Sequence, residues 1–174
     1  MNKRVWWVLG EQQAGKTHFA RLFATYGADV LHIGETLRLK TAANAFAAES
    51  NPYAAPSVET EVHAMIKQHL ADFSKSDKTL LLIDSAPKTV EQFALLDYSF
   101  IQFGFMDTVI VIREEYDERK RRAQIRYTGG MLIPDLTLFN SRERFEQEWL
   151  DLVPAICVAN DTDIMIFDKR IKHD

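Results

Sequence analysis

The chain of 174 residues has one cysteine, five prolines and seven glycines, and each scarcity removes a class of protein. A lone Cys157 forms no intramolecular disulfide and no Cys-rich zinc site. With Ala155, Ile156 and Val158 around it, it reads as a buried, inert thiol. So few prolines and glycines leave no flexible linker and no collagen-like segment. No run approaches the ~20 apolar residues that a membrane helix requires, so no membrane partner is expected. The basic start, Met1 to Arg4, leads into an apolar run that stops at Gly10, too short for a secretory signal, and a cytoplasmic location is expected. A basic excess is missing too: the formal net charge is -4, which gives no reason to expect nucleic acid as a partner. What remains is an ordinary globular composition, 47% hydrophobic and 26% charged, at a length that suits one domain over residues 1–174.

Within that composition one stretch stands out. Gly10-Glu11-Gln12-Gln13-Ala14-Gly15-Lys16-Thr17 fits the P-loop pattern of Gly, four free positions, Gly, Lys and Thr. The apolar run from Val5 to Leu9 before it reads as a buried strand, and His18 to Tyr26 after it as a helix with Phe19, Leu22 and Phe23 on one face. That context carries a mechanism: a strand ends, a row of backbone N–H groups wraps an anion, and a helix starts with its positive end aimed at the same point. Gly10, Glu11, Gln12, Gln13, Ala14, Gly15, Lys16, Thr17 and His18 are therefore the expected ATP-binding stretch. Lys16 would reach the β and γ phosphates, and Thr17 would place its hydroxyl on Mg²⁺. The bland alternative is a glycine-bearing turn that binds nothing.

Further strands are expected over 29–33, 79–84, 108–112 and 163–168, and helices over 35–48, 57–74, 89–98, 114–127 and 136–153. Gly34 is expected to break the chain between the second strand and its helix. Strands alternating with helices imply an α/β fold, a central parallel five-stranded sheet with helices on both sides. In such sheets ligands lie beyond the carboxyl ends of the strands, where Gly10, Gly34, Asp84 and Arg113 fall. Asp84 closes an apolar run that reads as a central strand beside the P-loop strand. A carboxylate there holds Mg²⁺ or its waters; the alternative is a helix cap.

In its P-loop, in Ile33-Gly34-Glu35-Thr36-Leu37-Arg38 and in Asp84-Ser85-Ala86-Pro87-Lys88-Thr89-Val90-Glu91-Gln92, the chain resembles the adenylate kinase-like nucleoside monophosphate kinases. That family has Thr-Gly-Asp-Leu-Leu-Arg and Asp-Gly-Phe-Pro-Arg-Thr followed by Gln in the corresponding places, and the resemblance spans about residues 4–126. It implies a P-loop NTPase fold in which Arg38 and Lys88 grip the phosphate of a nucleoside monophosphate. It also implies that Gln92 hydrogen-bonds the base, and that Val58 and Ile33 stand where the family contacts that base. A small helical acceptor-binding segment over 35–73 and a short lid loop over 127–135 follow from it as well. Arg119, Arg122 and Arg126 share one helix face, and Arg122 and Arg126 match the family's arginine pair at the base of the lid, one over the adenine and one on the transferring phosphates. A solvated, ion-paired helix would explain the same spacing. Arg142 and Arg144 are candidates for arginines beyond the lid. The chain departs from the family at Ser85, Ala86 and Lys88, and a lysine offers a point charge where an arginine fork can be bidentate.

The expected activity is transfer of the γ-phosphoryl group of ATP to a nucleoside or deoxynucleoside monophosphate, with Mg²⁺ and with Lys16, Arg122 and Arg126 as catalytic groups. Thr17 and Asp84 are the expected metal-facing residues, ATP and the monophosphate are the expected partners, and the chain is expected to act as a monomer. Two alternatives stand beside it: a small-metabolite kinase of the shikimate or gluconate type, and a nucleotide-binding regulatory module without transfer activity.

Overall fold

Val5, Trp7 and Leu9 alternate with Trp6 and Val8, and all are apolar, so the first strand has to be covered on both faces. The computed structural model, which describes residues 2–40, 56–127 and 136–170, meets that demand. Its elements run β1 (Arg4–Gly10), α1 (Lys16–Thr25), β2 (Asp29–His32), α2 (Ile33–Lys40), α3 (Pro56–Lys75), β3 (Leu80–Asp84), a 3-10 turn (Glu91–Phe93), α4 (Ala94–Phe103), β4 (Met106–Arg113), α5 (Tyr116–Tyr127), α6 (Thr137–Ala159) and β5 (Asp163–Asp168). The strands form one five-stranded sheet in the order β2-β3-β1-β4-β5. Every pairing is parallel. The middle of the acceptor-binding segment, 41–55, and the lid loop beyond Tyr127, 128–135, lie outside the described residues, as does the Arg38 side chain.

Alternation sorts the core into two layers. Trp6 and Val8, with Leu82, Ile110 and Ile112, face Phe19, Ala20 and Phe23 of α1. Val5, Trp7 and Leu9, with Leu81, Ile83, Val109 and Val111, face the opposite layer, built from Ile33 and Leu37 of α2, Val62, Ile66, Leu70 and Phe73 of α3, Leu95 and Leu96 of α4, and Trp149, Val153 and Cys157 of α6. Each large side chain buried there contributes about 1.5–3 kcal/mol, so these faces fix the register of the whole sheet. Burial pushes the Cys157 thiol up to about 11, which keeps it protonated and unreactive.

Three boundaries depart furthest from the sequence expectation. Gly34 does not interrupt the chain, because β2 passes directly into α2: Ile33 and Leu37 bury one turn apart, and the Thr36 hydroxyl donates to the His32 carbonyl at 2.7 Å. The helix expected over 89–98 begins as the 3-10 turn and runs on to Phe103, which packs against the core, and Gly104 (φ 68°) ends it with its N–H donating to the Phe100 carbonyl at 2.8 Å. α6 continues past Pro154 to Ala159, because the buried stripe of Trp149, Leu150, Val153 and Cys157 outweighs one lost backbone hydrogen bond. Among the described residues no helix is long and apolar enough to cross a membrane.

One ionisable group sits inside this framework. The Trp7 indole Nε1 donates to Asp107 Oδ1 at 2.9 Å, and burial pushes the Asp107 carboxyl up to about 6 in spite of that bond. Through this group the folded chain binds more protons than the unfolded one between about pH 4 and pH 6, so the contribution of Asp107 to stability falls as pH rises through that window and is flat above it. In thermal unfolding from pH 4 to 7 the stability of the wild-type chain relative to Asp107→Asn is expected to decline by about 2–3 kcal/mol, the difference removing the carboxyls common to both.

Candidate functional site

β1 and β3 pair so that Val8 stands opposite Asp84, and β2 and β3 so that His32 does the same. The carboxyl ends of three neighbouring strands thus carry Gly10, Asp84 and His32 to one edge of the sheet. Gly10 leaves β1 against β4, where a Cβ would stand 2.4 Å from the Ile112 carbonyl oxygen, so only glycine fits. The segment then folds back through two left-handed residues, Gln13 (φ 63°) and Gly15 (φ 100°), and α1 starts at Lys16 with no side chain capping it. First-turn N–H groups of a helix have no partner within the helix, so an uncapped start suits an anion. The Lys16 ammonium curls over the segment and donates to the carbonyls of Gly10 (2.7 Å) and Glu11 (2.9 Å).

Asp84 is the hub. Its Oδ2 accepts from the Thr17 hydroxyl at 3.0 Å and lies 2.8 Å from His32 Nδ1, while its Oδ1 accepts from the Ser85 hydroxyl at 3.0 Å. Burial alone would raise its pKa. The His32 hydrogen bond, the Lys16 charge and the Thr17 hydroxyl together outweigh burial and hold the carboxyl below its ordinary range, so it is ionised at neutral pH. Among the described residues no three His, Cys, Asp or Glu side chains are grouped to hold a metal ion. Thr17 and Asp84 instead offer two hard oxygens, the kind of incomplete set that suits Mg²⁺ arriving with a phosphate chain.

Charged side chains from α5 and α6 close the other side. Arg122 donates to the Gln13 carbonyl at 3.0 Å, and Arg119 lies 3.5 Å from that of Gln12 while gripping Glu143 through both guanidinium nitrogens, at 2.8 and 2.5 Å. Burial opposes both charges of that pair, but the paired hydrogen bonds win: Glu143 is held below and Arg119 above the ordinary value. Glu146 accepts from the Gln12 backbone N–H at 2.6 Å and stands 3.9 Å from the Lys88 ammonium. Behind the loop, buried Glu11 accepts from Arg113 at 2.7 Å, and Arg113 also bonds Asp151 at 2.7 Å and Gln147.

The residues singled out from sequence divide accordingly. Gly10 to Thr17, Asp84 and Arg122 come together in one cluster, and Lys88 reaches it through Glu146. Arg126 lies exposed one turn beyond Arg122, and His18 lies exposed on α1. Ile33 has no exposed surface; its side chain belongs to the core instead of a ligand. Gln92 is fully buried, its carbonyl oxygen accepting from the Lys88 N–H at 2.7 Å and its amide donating to Glu59 at 3.0 Å. Val58 packs partly buried against the core. Sequence reasoning missed His32, Glu59 and Glu146. Only for His32 was there a signal: it ends a strand, as Asp84 does, and parallel neighbours align their ends.

No family model matches the chain, and no curated protein matches it. What this site can do therefore rests on its own geometry. Arg113→Met strands the Glu11 carboxylate, whose Oε2 is already buried without a hydrogen-bond partner. In urea unfolding it is expected to cost about 3 kcal/mol, and combining it with Glu11→Gln is expected to recover about half of that loss.

Proposed function

We propose that the chain is an ATP-dependent phosphotransferase whose acceptor is a nucleoside monophosphate. The observation that carries the reading is the 3.0 Å contact between Thr17 Oγ1 and Asp84 Oδ2, which joins the start of α1 to the end of β3 beside the Lys16 ammonium. Two oxygens of that kind, a lysine and an uncapped helix start are what a magnesium-bound polyphosphate needs, and a structural turn needs none of them together.

In this reading the backbone from Gln12 to Thr17 holds the β and γ phosphates, and Lys16 exchanges the carbonyls of Gly10 and Glu11 for phosphate oxygens. Thr17 and Asp84 hold Mg²⁺, which supplies neutralisation of the phosphate charge when bound. Arg122, already over the loop, stabilises charge on the transferring group, and Arg119 stays with Glu143 as a strut. Lys88, with Arg38, neutralises the acceptor phosphate. An acceptor oxygen then attacks the γ phosphorus, the bond to the β–γ bridging oxygen breaks, and ADP leaves. Such transfer is chiefly positioning and charge stabilisation, so no general base has to be assigned.

A metabolite acceptor is the second reading, and a specific observation favours it. Gln92 has its amide engaged at both ends within the fold, and Ile33 is sunk in the core, so neither is poised to read a base.

ADP release from Mg-ATP, measured with each common ribo- and deoxyribonucleoside monophosphate and beside Lys16→Ala, separates the readings. Stimulation by one or two monophosphates, falling by about 100-fold or more in Lys16→Ala, is expected. A flat panel with ATP still bound transfers the case to a metabolite acceptor. Glu146 tests the same site from the other side, because its carboxylate takes a loop N–H and faces Lys88. Glu146→Gln removes a competing anion and is expected to tighten ATP binding by about tenfold, the equivalent of one charge-assisted hydrogen bond, in calorimetric titration.

A further inference from the structure

Asp84 is held from β2 as well as from α1, and the β2 contact has no part in the phosphate-binding pattern. His32 closes β2, one residue before α2 begins, and its Nδ1 meets Asp84 Oδ2 at 2.8 Å. The acceptor is an ionised carboxylate, so Nδ1 carries the proton and donates. The oxygen it binds is the one that Thr17 also binds at 3.0 Å, while Ser85 holds the other oxygen at 3.0 Å. Three donors from three segments therefore fix the carboxylate plane, and two of them converge on a single oxygen. Thr17 would have to turn toward a metal to serve as its ligand, which leaves His32 as the donor that keeps Oδ2 in place while Thr17 does so.

We propose that His32 is a positioning residue, which holds the metal-facing oxygen of Asp84 in register with Thr17. This inference rests on the phosphotransferase reading and deepens it. It separates two roles that a hydrogen bond between strand ends can have. A contact that only ties β2 to β3 would affect the folded site with or without metal. A contact that aims a metal-facing carboxylate affects nucleotide binding only when metal is present.

The test is equilibrium titration with a fluorescent ATP analogue, in saturating Mg²⁺ and in EDTA, on the wild-type chain, His32→Ala, His32→Asn and His32→Gln, each checked for folding by thermal unfolding. The wild-type chain is expected to bind more tightly in Mg²⁺. His32→Ala is expected to lose about tenfold of that gain while its affinity in EDTA stays within about twofold of wild type. His32→Asn, whose amide nitrogen can stand where Nδ1 does, is expected to keep the gain, and His32→Gln, which is a methylene longer, to lose it. Equal losses in both media, no loss in His32→Ala, or an equal gain in His32→Asn and His32→Gln overturns the proposal. The last comparison decides even if His32→Ala does not fold. A wild-type chain that binds the analogue in neither medium overturns the phosphotransferase reading itself, and His32 falls with it. A wild-type chain that binds equally in both media removes the metal from the site and overturns the role of His32 alone.

Discussion

The pairing of Val8 with Asp84 across β1 and β3 is the constraint from which the rest of the site follows. It sets a carboxylate beside the turn that leaves β1, near enough for the first turn of α1 to reach it through Thr17. A slip of one residue would turn Asp84 to the opposite face of the sheet and turn its apolar neighbours with it. The register is therefore held by the core, by Leu81 and Ile83 on one side and Leu82 on the other, while its consequence appears at the sheet edge. Stability and chemistry share one cause here.

The second organising fact is the amount of buried charge at that edge. Glu11, Asp84, Lys88, Arg113, Glu114, Arg119 and Glu146 are all buried. Burying an ion is costly, and a pair of them recovers the cost only with good geometry and further hydrogen bonds. Arg113 meets that condition with three partners, and Arg119 with a two-pronged grip on Glu143. Hydrophobic residues of similar volume would often do as well for stability, so what this charge secures is a fixed arrangement of side chains around the turn after β1. Lys16 rests on backbone carbonyls, partners that a phosphate oxygen can displace without stranding a charge, whereas Arg122 holds the Gln13 carbonyl and also pairs with Glu118 at 3.0 Å and Glu114 at 3.3 Å.

Glu146 adds a competitor to that arrangement. It occupies the Gln12 N–H and faces Lys88, two groups of the sign a phosphate would seek, and it comes from α6, the described element that follows α5. α6 is anchored in the core by Trp149, Val153 and Cys157, so the carboxylate is carried by a fixed rod and only its own side chain has to turn. Gln92 and Glu59 are joined in a comparable way, and the Gln92 amide is occupied at both ends by its neighbours.

The sequence by itself determined the alternation of strands and helices, the buried strand before Gly10, the loop pattern through Thr17 and the acidic end of β3. These are local facts: the period of apolar residues, the glycine and lysine spacing of the loop, a carboxylate closing an apolar run. It did not determine that Gly34 stays inside a helix or that α6 runs through Pro154, because burial of Ile33, Leu37 and Val153 overrides local preference. Nor did it assign Arg119 to Glu143, Glu146 to Gln12 or His32 to Asp84, pairs that lie 24, 134 and 52 residues apart. No pattern along a chain encodes such distances. Only the order of the strands and the packing of α5 and α6 over their ends bring those side chains together, since a hydrogen bond needs an approach of about 3 Å that tertiary structure alone supplies.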